Sequence, residues 1–259
     1  VATRGGMAIR FPASDMRPMG RNAMGVKSIE LDDGDSVVAM SMVEEGALII
    51  DVGGESTRPG ATPVTEEEEC ARVLDVVKAL ASKGICVSID TRHAPVARAA
   101  LEAGASIIND VSGFRDPAMV DLAASCDAGL VVMHMGGDDP RTMQDEPVYE
   151  DVVAEVRDYL KAQADNLIAH GVARERICLD PGPGFGKTAK QTIELMRNFH
   201  EFNRLGFPTM VAVSRKSYIG EAYHIEDPKE RDSASAAEAL MACELGASVI
   251  RTHNVALTA

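Results

Sequence analysis

The chain has 259 residues, 46% of them hydrophobic and 25% charged, with a formal net charge of -14. It can bury a sizeable core and is not disordered as a whole, and one large α/β domain or two small ones would account for its length. The acidic balance argues against a nucleic-acid partner for the whole chain, yet a few local Arg and Lys residues suffice for an anionic small molecule.

The five cysteines, Cys70, Cys86, Cys126, Cys178 and Cys243, form no CxxC pair, and four lie in apolar segments. They read as reduced core thiols of a cytoplasmic protein. No apolar run is long enough for a membrane span and no signal peptide is visible, so no membrane partner is expected.

Residues 1–45 stand apart. Val1 to Ile29 carry five basic residues, Arg4, Arg10, Arg17, Arg21 and Lys27, against the single acid Asp15. Short β-like runs, Met7 to Phe11 and Gly25 to Ile29, alternate with Gly and Pro. Glu30 to Asp35 is acidic, and Ser36 to Gly46 fits a short helix or another strand equally well.

From Glu45 onward, strand and helix patterns alternate. Apolar strand candidates are 47–52, 85–90, 105–110, 128–134, 177–180, 208–214 and 247–251. Ala47 to Ile50 shows no polar alternation, as expected of a parallel strand covered on both faces. Amphipathic helix candidates are Thr65 to Ser82, opening with a Thr cap and glutamates, then 94–103, 117–125, 150–170, 188–205 and 233–245. The regular βα alternation predicts an α/β fold, a (β/α)₈ or TIM barrel, with an atypical β-rich N-terminal segment where the first strand and loop would stand.

In such a barrel the chemistry collects at the C-terminal ends of the strands. The ends carry Asp51 followed by Gly53-Gly54-Glu55-Ser56-Thr57-Arg58, then Asp90, Asn109, Met133-His134, Asp180 to Lys187, Ser214-Arg215-Lys216-Ser217 and Arg251-Thr252-His253. Asp90, Asn109 and Asp180 would converge at the mouth. Two carboxylates and an amide match the donor edge of a flat heterocycle, although each residue alone is as readily a helix cap. Thr57 and Arg58 suit an anion, Lys216 and Arg215 an anionic or carbonyl group, and an isolated Arg-x-His is most often surface charge.

The stretches IIDVGGESTRPGA, VSIDT, IINDVSG, VVMHM, LDPGPGFGK, VAVSRKSYIG and IRTHNV, in that order, resemble the dihydropteroate synthases of the pterin-binding barrel family over about residues 45–254. The resemblance implies a transferase that joins 6-hydroxymethyl-7,8-dihydropterin pyrophosphate to 4-aminobenzoate and releases pyrophosphate, with Mg²⁺ as cofactor. It implies that Asp90, Asn109, Asp180 and Lys216 bind the pterin, with Met133, Phe185 and Val111 as apolar contacts. It implies Thr57, Arg58, Arg251 and His253 for the pyrophosphate, and Ser217 with the Lys216 stem near the aminobenzoate. Lys216, Asp90 and Asp180 are the expected catalytic residues, and a homodimer is expected.

Two departures stand out. Pro183 occupies a position where the family usually has Phe. The Asn-x-Thr-Pro-Asp-Ser-Phe motif of the family's first strand, whose Asn helps hold magnesium, is not found; Met7 to Asp15 has a similar position and offers Arg10 or Phe11 there. The family's metal ligand therefore has no counterpart, and the last barrel helix is expected to be missing or short. Residues 1–44 instead resemble one blade of the C-terminal DNA-wrapping domain of the DNA gyrase A subunit, through TR-GG-AIRF, S-D-x-R-P-M-G-R and G-V-x-x-I-x-L-x-x-G-D-x-V. The chain thus reads as a joint of two parts, a segment 1–44 and a barrel 45–259, meeting near Val43 to Ala47, though Met42 to Ala47 also reads as the end of a barrel helix. The alternatives are a pterin-binding barrel with impaired activity, a methyltetrahydrofolate-type methyltransferase, which would lack Ser214–Ser217 and Arg251–His253, and a DNA-binding fragment, opposed by the charge and the single blade.

Overall fold

The structure is a computed structural model and describes residues 2–3, 37–39, 46–57, 60–137, 139, 142–143 and 148–259. Two short strands near the N-terminus, β1 (Ala2–Thr3) and β2 (Val37–Ala39), pair antiparallel. The body of the molecule is parallel. Strands β3 (Ile49–Gly53), β4 (Cys86–Asp90), β5 (Ile107–Asp110), β6 (Gly129–Met133) and β7 (Ile177–Asp180) form a five-stranded sheet in sequence order. A bridge from Leu179 to Thr209 continues it to β8 (Met210–Val211), which pairs in parallel with β9 (Val249–Ile250). This is the strand sequence of a TIM barrel. No described strand lies between β9 and β3.

Several of the connecting helices open on a side-chain cap. Thr65 accepts the Glu68 amide at the start of α1 (Glu66–Ala81). The helix α2 (Ala94–Glu102) begins after β4. Asp116 caps α3 (Pro117–Ser125), and Asp151 accepts two amides of α4 (Val152–Ala169). Thr188 and Gln191 close a capping box on α5 (Ala189–Arg197). These caps satisfy helix-end amides that would otherwise lack partners. The chain continues through α6 (His200–Asn203), α7 (Ser217–Tyr223), α8 (Asp232–Glu244) and α9 (Val255–Thr258).

One expected helix is two. Residues 188–205 break at Asn198, where the chain turns to bury both Phe199 and Phe202, edge to face at 5.9 Å. Ile89, Ile108, Leu130, Leu160, Leu167, Ile177 and Leu179 are almost fully buried between sheet and helices. The expectation that 47–50 is covered on both faces is corrected. Leu48, just before β3, is 87% exposed and Ile49 38%, and β3 has a described strand neighbour on one edge only. The strand expected over 208–214 keeps two ladder residues, since the chain turns away beyond Val211 to reach Arg215 at φ 61°. All five cysteines are free thiols, but Cys243 is exposed and the others are half-buried, with Cys70 and Cys126 packed against the core, so the expectation of core thiols is corrected.

Candidate active site

Parallel register decides which strand-end side chains face one another, because laterally paired residues point to the same side of a sheet. Gly53 pairs with Asp90, Asp90 with Asn109, and Met133 with Asp180. Asp51 lies two residues before Gly53 and therefore shares its side. A Cβ on Gly53 would meet the Asp90 Cβ at 3.3 Å, so the glycine leaves room for that carboxylate.

A hydrogen-bonded acidic row results. The Asn109 Nδ2 donates to Asp51 at 3.3 Å, which fixes the amide's orientation, since a carboxylate only accepts. The opposite atom, Asn109 Oδ1, is buried and has no hydrogen-bond partner. Arg251 reaches across from the end of β9, donating to Asp51 at 2.7 Å and to Asp90 at 3.2 Å. Burial, and then the neighbouring Asp51, push the Asp90 carboxyl up to about 7, while Arg251 pulls it back. Asp180 is almost fully buried; its Oδ1 accepts the Gly182 amide at 2.7 Å, and burial raises its pKa despite Lys216.

Lys216 comes from the turn before α7. Its Nζ donates to the Pro183 carbonyl and lies 4.4 Å from the centre of the Phe185 ring. Burial lowers this ammonium to about 8, against the pull of Asp180. Phe185 packs on a small apolar cluster of Val111, Met133, Met135 and Met143, separate from the main core. The mouth therefore has a polar acidic side and an apolar side, joined by a cation over an aromatic ring.

The glycine-rich loop after β7 is held from beneath. Lys187 is buried and donates to the Gly182 and Phe185 carbonyls, both at 3.0 Å, and contacts the His134 Nδ1 at 2.9 Å. Burial first, then the charges of Lys187 and Arg115, hold His134 neutral, with a pKa of about 2. Gly186 sits at φ +63°, where a Cβ would meet the Gly136 Cα at 2.5 Å.

The structure thus brings together Asp90, Asn109, Asp180, Lys216, Val111, Met133, Phe185 and Arg251. Thr57 is half-buried on the loop after β3, and Arg58 lies outside the described residues. Ser217 is exposed as the first residue of α7, and His253 is exposed with its Nδ1 2.9 Å from the Ser214 hydroxyl. Arg215 forms a two-pronged pair with Asp232 at 2.7 and 2.9 Å, and it holds that carboxyl down to about 2. Asp51 was not among the expected site residues. Its position at the polar end of an apolar run was visible in the sequence, but only the register shows that it sits between Asn109 and Arg251.

A TIM barrel whose strand ends carry an acidic row beside an aromatic and cationic wall has the acceptors and apolar surface that a flat, donor-rich heterocycle would need. The family model described as pterin binding enzyme matches residues 29–253. The model described as DNA gyrase C-terminal domain, beta-propeller, matches residues 1–44. Dihydropteroate synthase of Synechocystis is 46% identical over 219 residues, covering 84% of this chain and 75% of the relative. That of Escherichia coli K12 is 43% identical, with 83% and 76% covered. Among solved structures, Xanthomonas albilineans dihydropteroate synthase with 4-aminobenzoic acid superimposes with a TM-score of 0.78 at 41% identity, covering 83% of this chain and 76% of that one. The Burkholderia cenocepacia enzyme complexed with 7,8-dihydropteroate gives 0.77 at 46% identity, covering 83% and 79%. The chain belongs to the dihydropteroate synthase family of pterin-binding TIM barrels.

Proposed function

We propose that the chain condenses 6-hydroxymethyl-7,8-dihydropterin pyrophosphate with 4-aminobenzoate, giving 7,8-dihydropteroate and pyrophosphate. The observation that carries this reading is the buried, unpartnered Asn109 Oδ1 flanked by Asp90, with Asp180 across the mouth. A pterin offers amino and ring N–H donors to such acceptors, and its face would stack between Met133 and Phe185. The two solved relatives named above contain 4-aminobenzoic acid and 7,8-dihydropteroate, which supports the same substrates here.

In this reading the methylene–oxygen bond breaks, pyrophosphate departs with the electron pair, and positive charge builds on the pterin methylene. The buried carboxylates of Asp90 and Asp180 stabilise that charge in a site of low dielectric. Lys216 donates to the pterin and lines the aminobenzoate side with Ser217. The amine nitrogen then bonds to the methylene carbon and loses its proton to solvent or to the departing pyrophosphate. Thr57, Arg58, Arg251 and His253 receive the pyrophosphate. For Arg251 this requires exchanging part of its pairing with Asp51 and Asp90 for the anion.

The resemblance implies Mg²⁺ on the pyrophosphate. The described donor sets do not fit it. Magnesium takes six oxygens and avoids imidazole, whereas Asp51 and Asp90 are paired with Arg251, and the cluster of Glu55 and Glu69 includes the imidazole of His93. No step is assigned to it.

A homodimer in the cytoplasm is part of the same reading; the free thiols support the compartment, and no described helix is long and apolar enough to cross a membrane. Residues 1–44 are assigned to a separate N-terminal segment that supplies a substitute strand beside β3, whose exposed Ile49 and the preceding Leu48 favour this. The decisive experiment measures pyrophosphate release with and without 4-aminobenzoate and Mg²⁺. Release that depends on the amine is expected. Pterin binding without turnover would instead mark an inactive pterin-binding barrel.

A further inference from the structure

Behind the loop that carries Thr57, three side chains from three elements meet. Glu55 stands two residues beyond β3, Glu69 lies in the first turns of α1, and His93 is the residue preceding α2. One donor atom from each lies within 4.8 Å of the other two. The His93 Nε2 is 3.4 Å from Glu55 Oε2 and 4.0 Å from Glu69 Oε2. Ligands of a tetrahedral zinc stand about 3.4 Å apart, given metal–ligand bonds of about 2.0–2.2 Å. The first separation already has that value, and the second is within about 0.6 Å of it.

The site also contains an unmet need. The Glu69 side chain is fully buried, and beyond the adjacent Thr91 hydroxyl its carboxylate oxygens have no hydrogen-bond partner. The His93 Nε2, facing it, is likewise buried without one. Burial raises the Glu69 carboxyl; the adjacent Thr91 hydroxyl eases this without cancelling it. A buried carboxylate left in this state is costly; protonation, an ordered water or a bound cation relieves it.

The surroundings are arranged as around a metal-bound histidine. The other ring nitrogen, His93 Nδ1, faces Glu66 Oε1 at 3.8 Å, the position of the outer carboxylate that orients a ligating imidazole. Arg92 donates to Glu55 Oε2 at 3.0 Å and Oε1 at 3.3 Å, fixing the carboxylate while leaving one further lone pair on Oε2, the atom nearest His93. A donor set of one imidazole and two carboxylates selects zinc-class divalent ions over magnesium.

We propose that Glu55, Glu69 and His93 form a binding site for one zinc-class divalent cation, which ties the loop after β3 to the starts of α1 and α2. The site is distinct from the acidic row at the mouth. It holds the segment Glu55-Ser56-Thr57 through the Glu55 carboxylate. The cation neutralises Glu69 and completes the coordination of His93 Nε2.

The test is equilibrium dialysis of the full chain against Zn²⁺, and separately Mg²⁺, with bound metal counted by mass spectrometry and no substrate present. One Zn²⁺ per chain is expected, with Mg²⁺ bound far more weakly. His93→Gln and Glu69→Gln are each expected to weaken Zn²⁺ binding on the order of 10–100-fold. Because a buried-site variant can fail to fold, the wild-type chain provides a second reading. With ¹⁵N-labelled histidine, Zn²⁺ should shift the imidazole of His93 first among the six histidines. Absence of stoichiometric Zn²⁺, undiminished affinity in folded His93→Gln, or a His93 signal that responds to pH and not to Zn²⁺ would overturn the proposal. The last outcome would show a shared proton in place of the metal.

Discussion

Asp90 illustrates how a strand-end carboxylate acquires a function from its neighbours. Its pKa of about 7 lies above the ordinary 3.8, so folding takes up a proton between these values. This carboxyl therefore disfavours the folded state increasingly as pH rises from about 4 to about 7. Asp90→Asn is expected to remove that loss, and urea titrations at pH 5 and pH 8 will show a smaller fall in stability than in the wild type. The same substitution should cost pterin binding about 2–5 kcal/mol, read by calorimetry, because a ligand donor loses its charged acceptor. Asp180→Asn should do likewise. Pterin affinity in the wild type should rise through pH 7 as Asp90 ionises and fall above about 8 as Lys216 loses its proton. Arg251→Gln should move the lower limb upward, since its guanidinium is what pulls Asp90 down. An unmoved limb would show that another group governs binding. Asp90, Asn109, Asp180 and Lys216 were legible as polar residues closing apolar runs; Asp51 became legible as a site residue only through its hydrogen bond from Asn109 and its pair with Arg251.

At the scale of elements, the loop after β7 depends on a buried lysine rather than on its own sequence. Lys187 gathers the carbonyls of Gly182 and Phe185 and so fixes the backbone beneath the Phe185 ring. Lys187→Met is expected to leave these acceptors unmet, each costing about 1–3 kcal/mol, and urea unfolding measures the sum. If Lys187→Met unfolds with the wild-type midpoint, the loop is held by something else. Gly186→Ala should be tolerated still less locally, because its Cβ collides with the Gly136 backbone. The helix cap at Thr65 could be anticipated because capping is a short-range interaction. The break at Asn198 could not, because it follows from where Phe199 and Phe202 find the core.

For the whole molecule, pyrophosphate release from the pterin pyrophosphate should require both 4-aminobenzoate and an intact acidic row. Amide hydrogen exchange addresses the joint with residues 1–44. If they cover the free edge of β3, outward-facing amides there should be protected as strongly as those of β4, whereas fast exchange would show an uncovered edge. Arg10, which the sequence offered in place of the family's Asn, lies outside the described residues; Arg10→Ala is expected to leave pterin affinity unchanged. The sequence by itself determined the βα alternation, the order of the strand-end motifs and the helix starts, because periodicity, caps and turn residues act over a few positions. Only the tertiary structure decided that Arg251 crosses to Asp51 and Asp90, that Arg215 serves Asp232, and that Glu55, Glu69 and His93 share one pocket. Those partners are brought together by strand register and barrel curvature, and neither leaves a local signature in the chain.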